Sequence, residues 1–125
     1  MKASLLVVLI FFLFQKEFVY SDYKYTEDSF TKGGVPKGKV IKREFATSKI
    51  YPGTVRDYWI YVPNQYVHEK PTPFMIFQDG GWYQNDKGHT RATVVFDNLI
   101  HKKEIPAMIG IFVNPGIIPP SKRGG

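Results

Sequence analysis

The spacing of apolar residues changes along the chain, and each change predicts an element. In "KVIKREFAT", residues 39 to 47, Val40, Lys42 and Glu44 alternate with Ile41, Arg43 and Phe45, giving one mixed and one partly polar face. That is an outer strand open to water on one side. Pro52-Gly53 suits the centre of a type II turn, because proline presets φ at the first position and glycine supplies φ > 0 at the second. The run after it, "TVRDYWIYVP" at 54 to 63, is β-branched and aromatic and ends on proline, so the two runs predict an antiparallel pair.

Residues 64 to 73, "NQYVHEKPTP", are polar and punctuated by proline, hence a surface connection. Phe74 to Phe77 is wholly apolar, the pattern of a strand covered on both faces. Farther on, Ala92, Val95, Phe96, Leu99 and Ile100 recur at three- and four-residue spacing, with Asp97, Asn98, His101 and Lys102 on the other side. This predicts an amphipathic helix closed before Pro106. "AMIGIFV" at 107 to 113 is a second fully apolar run, stopped by Asn114-Pro115-Gly116. A buried strand, a helix and a buried strand make a right-handed βαβ unit with parallel strands. One helix covers one face only, so the sheet is half dressed, and further chain or a partner is expected to cover the other face.

Before this unit, Ala3 to Phe14 is an apolar run behind Lys2, too short for an ordinary spanning helix of about 20 residues. It reads as a secretory signal covering 1–21, with cleavage after Val19-Tyr20-Ser21 and an uncleaved anchor as the competing reading. After cleavage no stable membrane anchor is expected, and a secreted or periplasmic location follows. Residues 22–37 form a polar, turn-rich entry arm, and 38–125 the domain proper. The absence of cysteine leaves the hydrophobic core alone to hold an exported fold. The formal charge of +6 is mild and falls by one without Lys2, Lys16 and Glu17. Its densest cluster, Lys32, Lys37, Lys39, Lys42 and Arg43, reads as a solvated face more readily than a phosphate site. No nucleic-acid motif is present, and export argues against such a partner.

The chemistry concentrates in "FMIFQDGGWYQNDKG", 74 to 88, where a strand ends on Gly-Gly followed by two aromatics. A plain turn is one reading. A metal site from Asp79, Asn85, Asp86 and His89 is another, but the spacing does not fit the calcium loop pattern and no zinc-helix motif occurs. A secreted carbohydrate- or aromatic-binding module could draw on Tyr51, Tyr58, Trp59, Tyr61, Trp82 and Tyr83. Strand alternation places Tyr58 opposite Trp59 and Tyr61, so these do not make one platform, and core packing accounts for most of them.

Taken in order, "YPGTVRDYWIYVPNQY", "PFMIFQDGGWYQ", "VVFDNLIHKKEIP" and "IGIFVNPG" resemble the enterochelin-esterase-like branch of the esterase D group, from about Gly38 to Pro120. The resemblance implies an α/β fold: the N-terminal part of an α/β-hydrolase, incomplete as it stands, with an antiparallel strand pair followed by a parallel strand-helix-strand unit. It implies an exported carboxylic-ester hydrolase acting on a small-molecule or polysaccharide ester, such as a siderophore triester or plant-polysaccharide ester, without cofactor or metal. By that resemblance Asp79-Gly80 takes the place of the His-Gly of other hydrolases. The backbone N–H of Gly81, or that of Trp82, then faces the developing oxyanion, where such donors contribute about 3 kcal/mol each. Trp82 and Tyr83 line the acyl or aryl side of the cleft or, on the plainer reading, cap the sheet end.

The nucleophile expected of the family, a Gly-x-Ser-x-Gly elbow after the next parallel strand, is missing. Ser4, Ser21, Ser29, Ser48 and Ser121 lie outside any such pattern, and His68, His89 and His101 all precede where the nucleophile would come. Domains of this kind commonly run to about 200 to 250 residues. The chain is therefore expected to be the front portion of an esterase, inactive alone, needing its missing C-terminal part or a partner.

Overall fold

The structure is a computed structural model and describes residues 24–120. The signal read at 1–21 and the tail 121–125 lie outside the described residues.

The elements are β1 (Lys39–Phe45), β2 (Arg56–Val62), β3 (Phe74–Gln78), α1 (Gly80–Gln84), α2 (Ala92–His101) and β4 (Ile109–Val113), after a 3-10 turn at Glu27–Ser29. The sheet order is β1-β2-β4-β3, with β1/β2 and β2/β4 antiparallel and β3/β4 parallel. It is a mixed α/β sheet, and the expected strand pair and parallel unit are both in it. The turn between β1 and β2 closes from Thr54 N–H to Tyr51 O, with Gly53 at φ 81°, as the Pro-Gly pair requires.

Register fixes two faces. Ile41 opposes Ile60, Ile60 opposes Ile111, and Ile111 opposes Ile76, all on one face, while Val40, Tyr61, Gly110 and Met75 occupy the other. The core lies on that second face, where Ala92, Phe96 and Ile100 of α2 pack on Tyr61 and Phe112. Phe77 stacks on Phe112 at 4.6 Å between centroids and 13° between planes, and Phe96 lies 5.5 Å from Tyr61. Each large side chain so buried contributes about 1.5–3 kcal/mol. No described helix covers the Ile60–Ile111–Ile76 face.

Two expectations are corrected. The apolar run of β3 is not covered on both faces: β3 is the sheet edge, and Phe74, Met75 and Ile76 are 63%, 44% and 54% exposed. Its sequence suits an interior strand, but its neighbour on the outer side is absent among the described residues. Nor is the polar side of α2 wholly turned to water: His101 and Lys102 are exposed, but Asp97 and Asn98 are not. Asn98 is 1% exposed, and its Nδ2 donates to Asp28 O and Phe30 O, both at 2.9 Å. Asp97 Oδ1 accepts from Gly38 N–H and from the Tyr61 hydroxyl, each at 2.7 Å. The helix lies between the sheet and residues 24–38; Asn98 bonds to the arm, and Asp97 bridges Gly38 and Tyr61 of the sheet. Burial, then the hydrogen bond to Asp97, raises the Tyr61 pKa, so this hydroxyl remains a donor well into alkaline solution.

The arm carries one further tie. Lys102 Nζ lies 2.7 Å from Asp28, and Lys32 lies 3.4 Å from it. These cations, with the Lys102 hydrogen bond foremost, hold the Asp28 pKa below its usual 3.8. A carboxylate depressed in the folded state stabilises fully above its unfolded pKa and loses that contribution as pH falls through the folded one. Acidification below about pH 4 is therefore expected to loosen the arm first. Limited pepsin proteolysis between pH 2 and 5 checks this: cleavage within 24–37 should precede loss of helix signal, and in Asp28→Asn the pH dependence of that cleavage should flatten.

Candidate active site

Strand β3 ends at Gln78, and the chain turns sharply over β4. Asp79 makes the turn at φ 56°, ψ 40°, a left-handed conformation that aspartate tolerates better than most residues. Gly80 follows where the backbone touches β4: a Cβ there would overlap the Phe112 carbonyl carbon and the Val113 nitrogen. Only glycine fits, because both obstacles are main chain. The loop expected at 79 to 88 thus begins with the short helix α1, whose C-terminal carbonyls are not left open. Thr90 Oγ1 donates to Trp82 O at 3.2 Å and Thr93 Oγ1 to Gln84 O at 3.2 Å.

The turn brings the expected residues to the C-terminal ends of β3 and β4. Gly81 N–H donates to Asn114 Oδ1 at 2.7 Å, with Asn114 held in turn by its own N–H on Asp57 O at 3.0 Å. Trp82 N–H closes the first turn on Asp79 O at 2.9 Å. Of the two expected donors, Gly81 is therefore the one that meets a side-chain oxygen, and Trp82 the one engaged within the turn. The aromatics separate as well. Tyr83 packs on Phe77 at 5.4 Å, capping the sheet end, whereas Trp82 is 61% exposed and stacks on His89 at 5.8 Å and 18°. Gly81, Trp82, Asn85, Gly88 and His89 line a cleft of about 390 Å³.

Sequence reasoning missed Asn114, Arg91 and the structural use of Asp97 and Asn98. Asn114 had a faint signal, an Asn-Pro-Gly stop directly after an apolar strand; Arg91 had none. His89 is exposed, as a surface histidine would be, yet it forms one wall of the cleft. Among the described residues no three His, Asp or Glu side chains converge as metal ligands, and no helix is long and apolar enough to cross a membrane. Tyr61, a candidate for an aromatic binding platform, is buried in the core.

No family model matches the chain, and no curated protein sequence matches it. Among solved structures it is similar to one of FAE, a feruloyl esterase, at 15% identity and a TM-score of 0.54. The match covers 73% of this chain and 31% of that one, so the chain corresponds to about a third of that structure's length. At this identity the likeness concerns the fold: the described residues share an α/β arrangement with part of an esterase.

Proposed function

We propose that this chain is the N-terminal portion of an exported, enterochelin-esterase-like carboxylic-ester hydrolase, in which it supplies an oxyanion donor and one wall of the substrate cleft. The observation that carries the reading is the Asp79–Gly81 turn. It leaves β3, lies against β4 because Gly80 has no side chain, and offers the Gly81 N–H to an oxygen at 2.7 Å. In the free chain that oxygen is Asn114 Oδ1. During ester cleavage, the tetrahedral oxyanion takes its place, because a charged acceptor bonds an N–H more strongly than a neutral amide does. The fold likeness to part of an esterase supports the same class.

In this reading Asp79 and Gly80 shape the turn, Trp82 offers an aromatic face to the acyl or aryl group, and Tyr83 braces the turn on Phe77. The nucleophilic serine, its histidine and its acid belong to chain beyond Gly125, which also covers the bare face and the β3 edge. Attack by serine, activated by histidine, would form an acyl-enzyme that water hydrolyses.

The test is to read the coding sequence past Gly125 and assay the product of the complete frame. The expected result is a Gly-x-Ser-x-Gly elbow with a later acid and histidine. The full protein should hydrolyse p-nitrophenyl acetate, the present chain should not exceed buffer, and Gly81→Pro in the full protein should lower kcat by about 10²–10³. A frame that stops without an elbow, or a full protein without esterase activity, would overturn the reading.

A further inference from the structure

Arg91 stands immediately before α2 at φ 48°, in a left-handed conformation that costs an arginine roughly 1–2 kcal/mol. Its side chain shows what compensates. Nε donates to Gly88 O at 2.8 Å and Nη1 to Ser29 O at 3.3 Å, across 62 residues of sequence. The guanidinium lies 4.2 Å from the centroid of Tyr25 and 5.3 Å from that of Phe30, and these two rings meet edge to face at 5.9 Å. A planar, permanently charged fork can stack on rings and donate in its own plane at once; a lysine cannot. One side chain thus grips both the entry arm and the end of the site loop.

The grip continues into the cleft. The Tyr25 hydroxyl is 3.4 Å from His89 Nδ1, and the His89 ring is stacked on Trp82. His89 sits two residues before Arg91 and next to Gly88, whose carbonyl Arg91 holds. The His89 loop is consequently tied to a segment far away in the chain at His89 and at Arg91.

We propose that Arg91 is a positioning residue: by clamping Tyr25 and Phe30 of the N-terminal arm to Gly88, it orients the His89–Trp82 pair and so sets the aromatic wall of the cleft. The use of that wall by substrate rests on the esterase reading, but the clamp itself does not. The arm is then part of the site rather than a leader to the domain. Asn98 and Lys102 dock the arm on α2, whereas Arg91 ties Ser29 and the two rings of the arm to Gly88 of the loop.

The test uses the two indole N–H signals of the intact chain in ¹H–¹⁵N NMR, assigned by Trp82→Phe. In Arg91→Gln, nuclear Overhauser contacts between Trp82 and His89 should be lost. The Trp82 indole signal should shift toward its unfolded position, while that of Trp59, half-buried on β2 against the core, stays in place. Tyr25→Leu, which leaves the backbone hydrogen bonds of the arm intact, should reproduce the loss, and Arg91→Lys should restore it only in part. A folded Arg91→Gln that keeps its Trp82–His89 contacts would overturn the proposal, as would equal displacement of both indoles. If Arg91→Gln does not fold, Tyr25→Leu decides: retained Trp82–His89 contacts reject the clamp. Because nothing here reads hydrolysis, failure of the clamp and failure of the esterase assignment are told apart.

Discussion

Phe112→Ala is expected to bring the chain to the edge of unfolding at ambient temperature. Phe112 is fully buried at the centre of the sheet, on β4 between β2 and β3, stacked on Phe77 and packed in the cluster with Phe96 and Tyr61. Truncating such a ring costs about 3–5 kcal/mol, the transfer term plus the cavity left behind. Small domains hold about 5–15 kcal/mol in total, and a sheet with one face bare belongs at the low end. Far-UV circular dichroism and thermal unfolding would check this. Phe112→Leu, which keeps most of the volume, should cost about 1.5 kcal/mol or less and remain folded. If Phe112→Ala melted within a few degrees of the parent, the α2-facing cluster would not be the core.

Gly80→Ala should be nearly as damaging, for a different reason. The added methyl meets the Phe112 carbonyl carbon and the Val113 nitrogen, main-chain atoms that no rotamer change can move. Either the Asp79 turn lifts off β4 or the β3/β4 ladder opens. Overpacking of this kind costs about 3 kcal/mol or more. For a domain near 100 residues that is a fall in Tm on the order of 15 °C. Gly33→Ala is the control, since nothing lies within 4 Å of its Cβ position. The site should suffer along with stability: exchange of the Gly81 amide hydrogen, protected by Asn114, should accelerate more in Gly80→Ala than that of amides in the β1/β2 ladder. Equal acceleration throughout would mean that the turn is not locked to β4 as described.

The linear chain was most informative where burial is periodic and turns have special chemistry. Val40 to Phe45, the Pro52-Gly53 turn, the aromatic run of β2, the period of α2 and the apolar run of β4 each specified an element and, through the βαβ rule, a parallel pair. The glycine pair after β3 marked a turn, though its approach to β4 at Gly80 is a finding of the structure. All of these depend on neighbours in sequence or on backbone freedom, which local residues set.

What the tertiary structure decided involves partners far apart in the chain. An apolar strand such as β3 announces that it seeks cover, but strand order leaves it at the edge with Ile76 half exposed. The period of α2 shows which side is apolar, yet cannot reveal that the arm lies over its other side, burying Asn98 and engaging Asp97. Nor could the sequence divide the roles of adjacent residues: Gly81 N–H meets Asn114 while Trp82 N–H closes its own turn, and Tyr83 braces Phe77 while Trp82 faces His89. Sequence by itself determined the strands and α2, though not the short helix α1, because propensity and burial period act over a few residues. Only the folded chain determined the β3 edge, the contact of Arg91 with the arm and the Gly81–Asn114 hydrogen bond, because each requires atoms brought together across tens of residues.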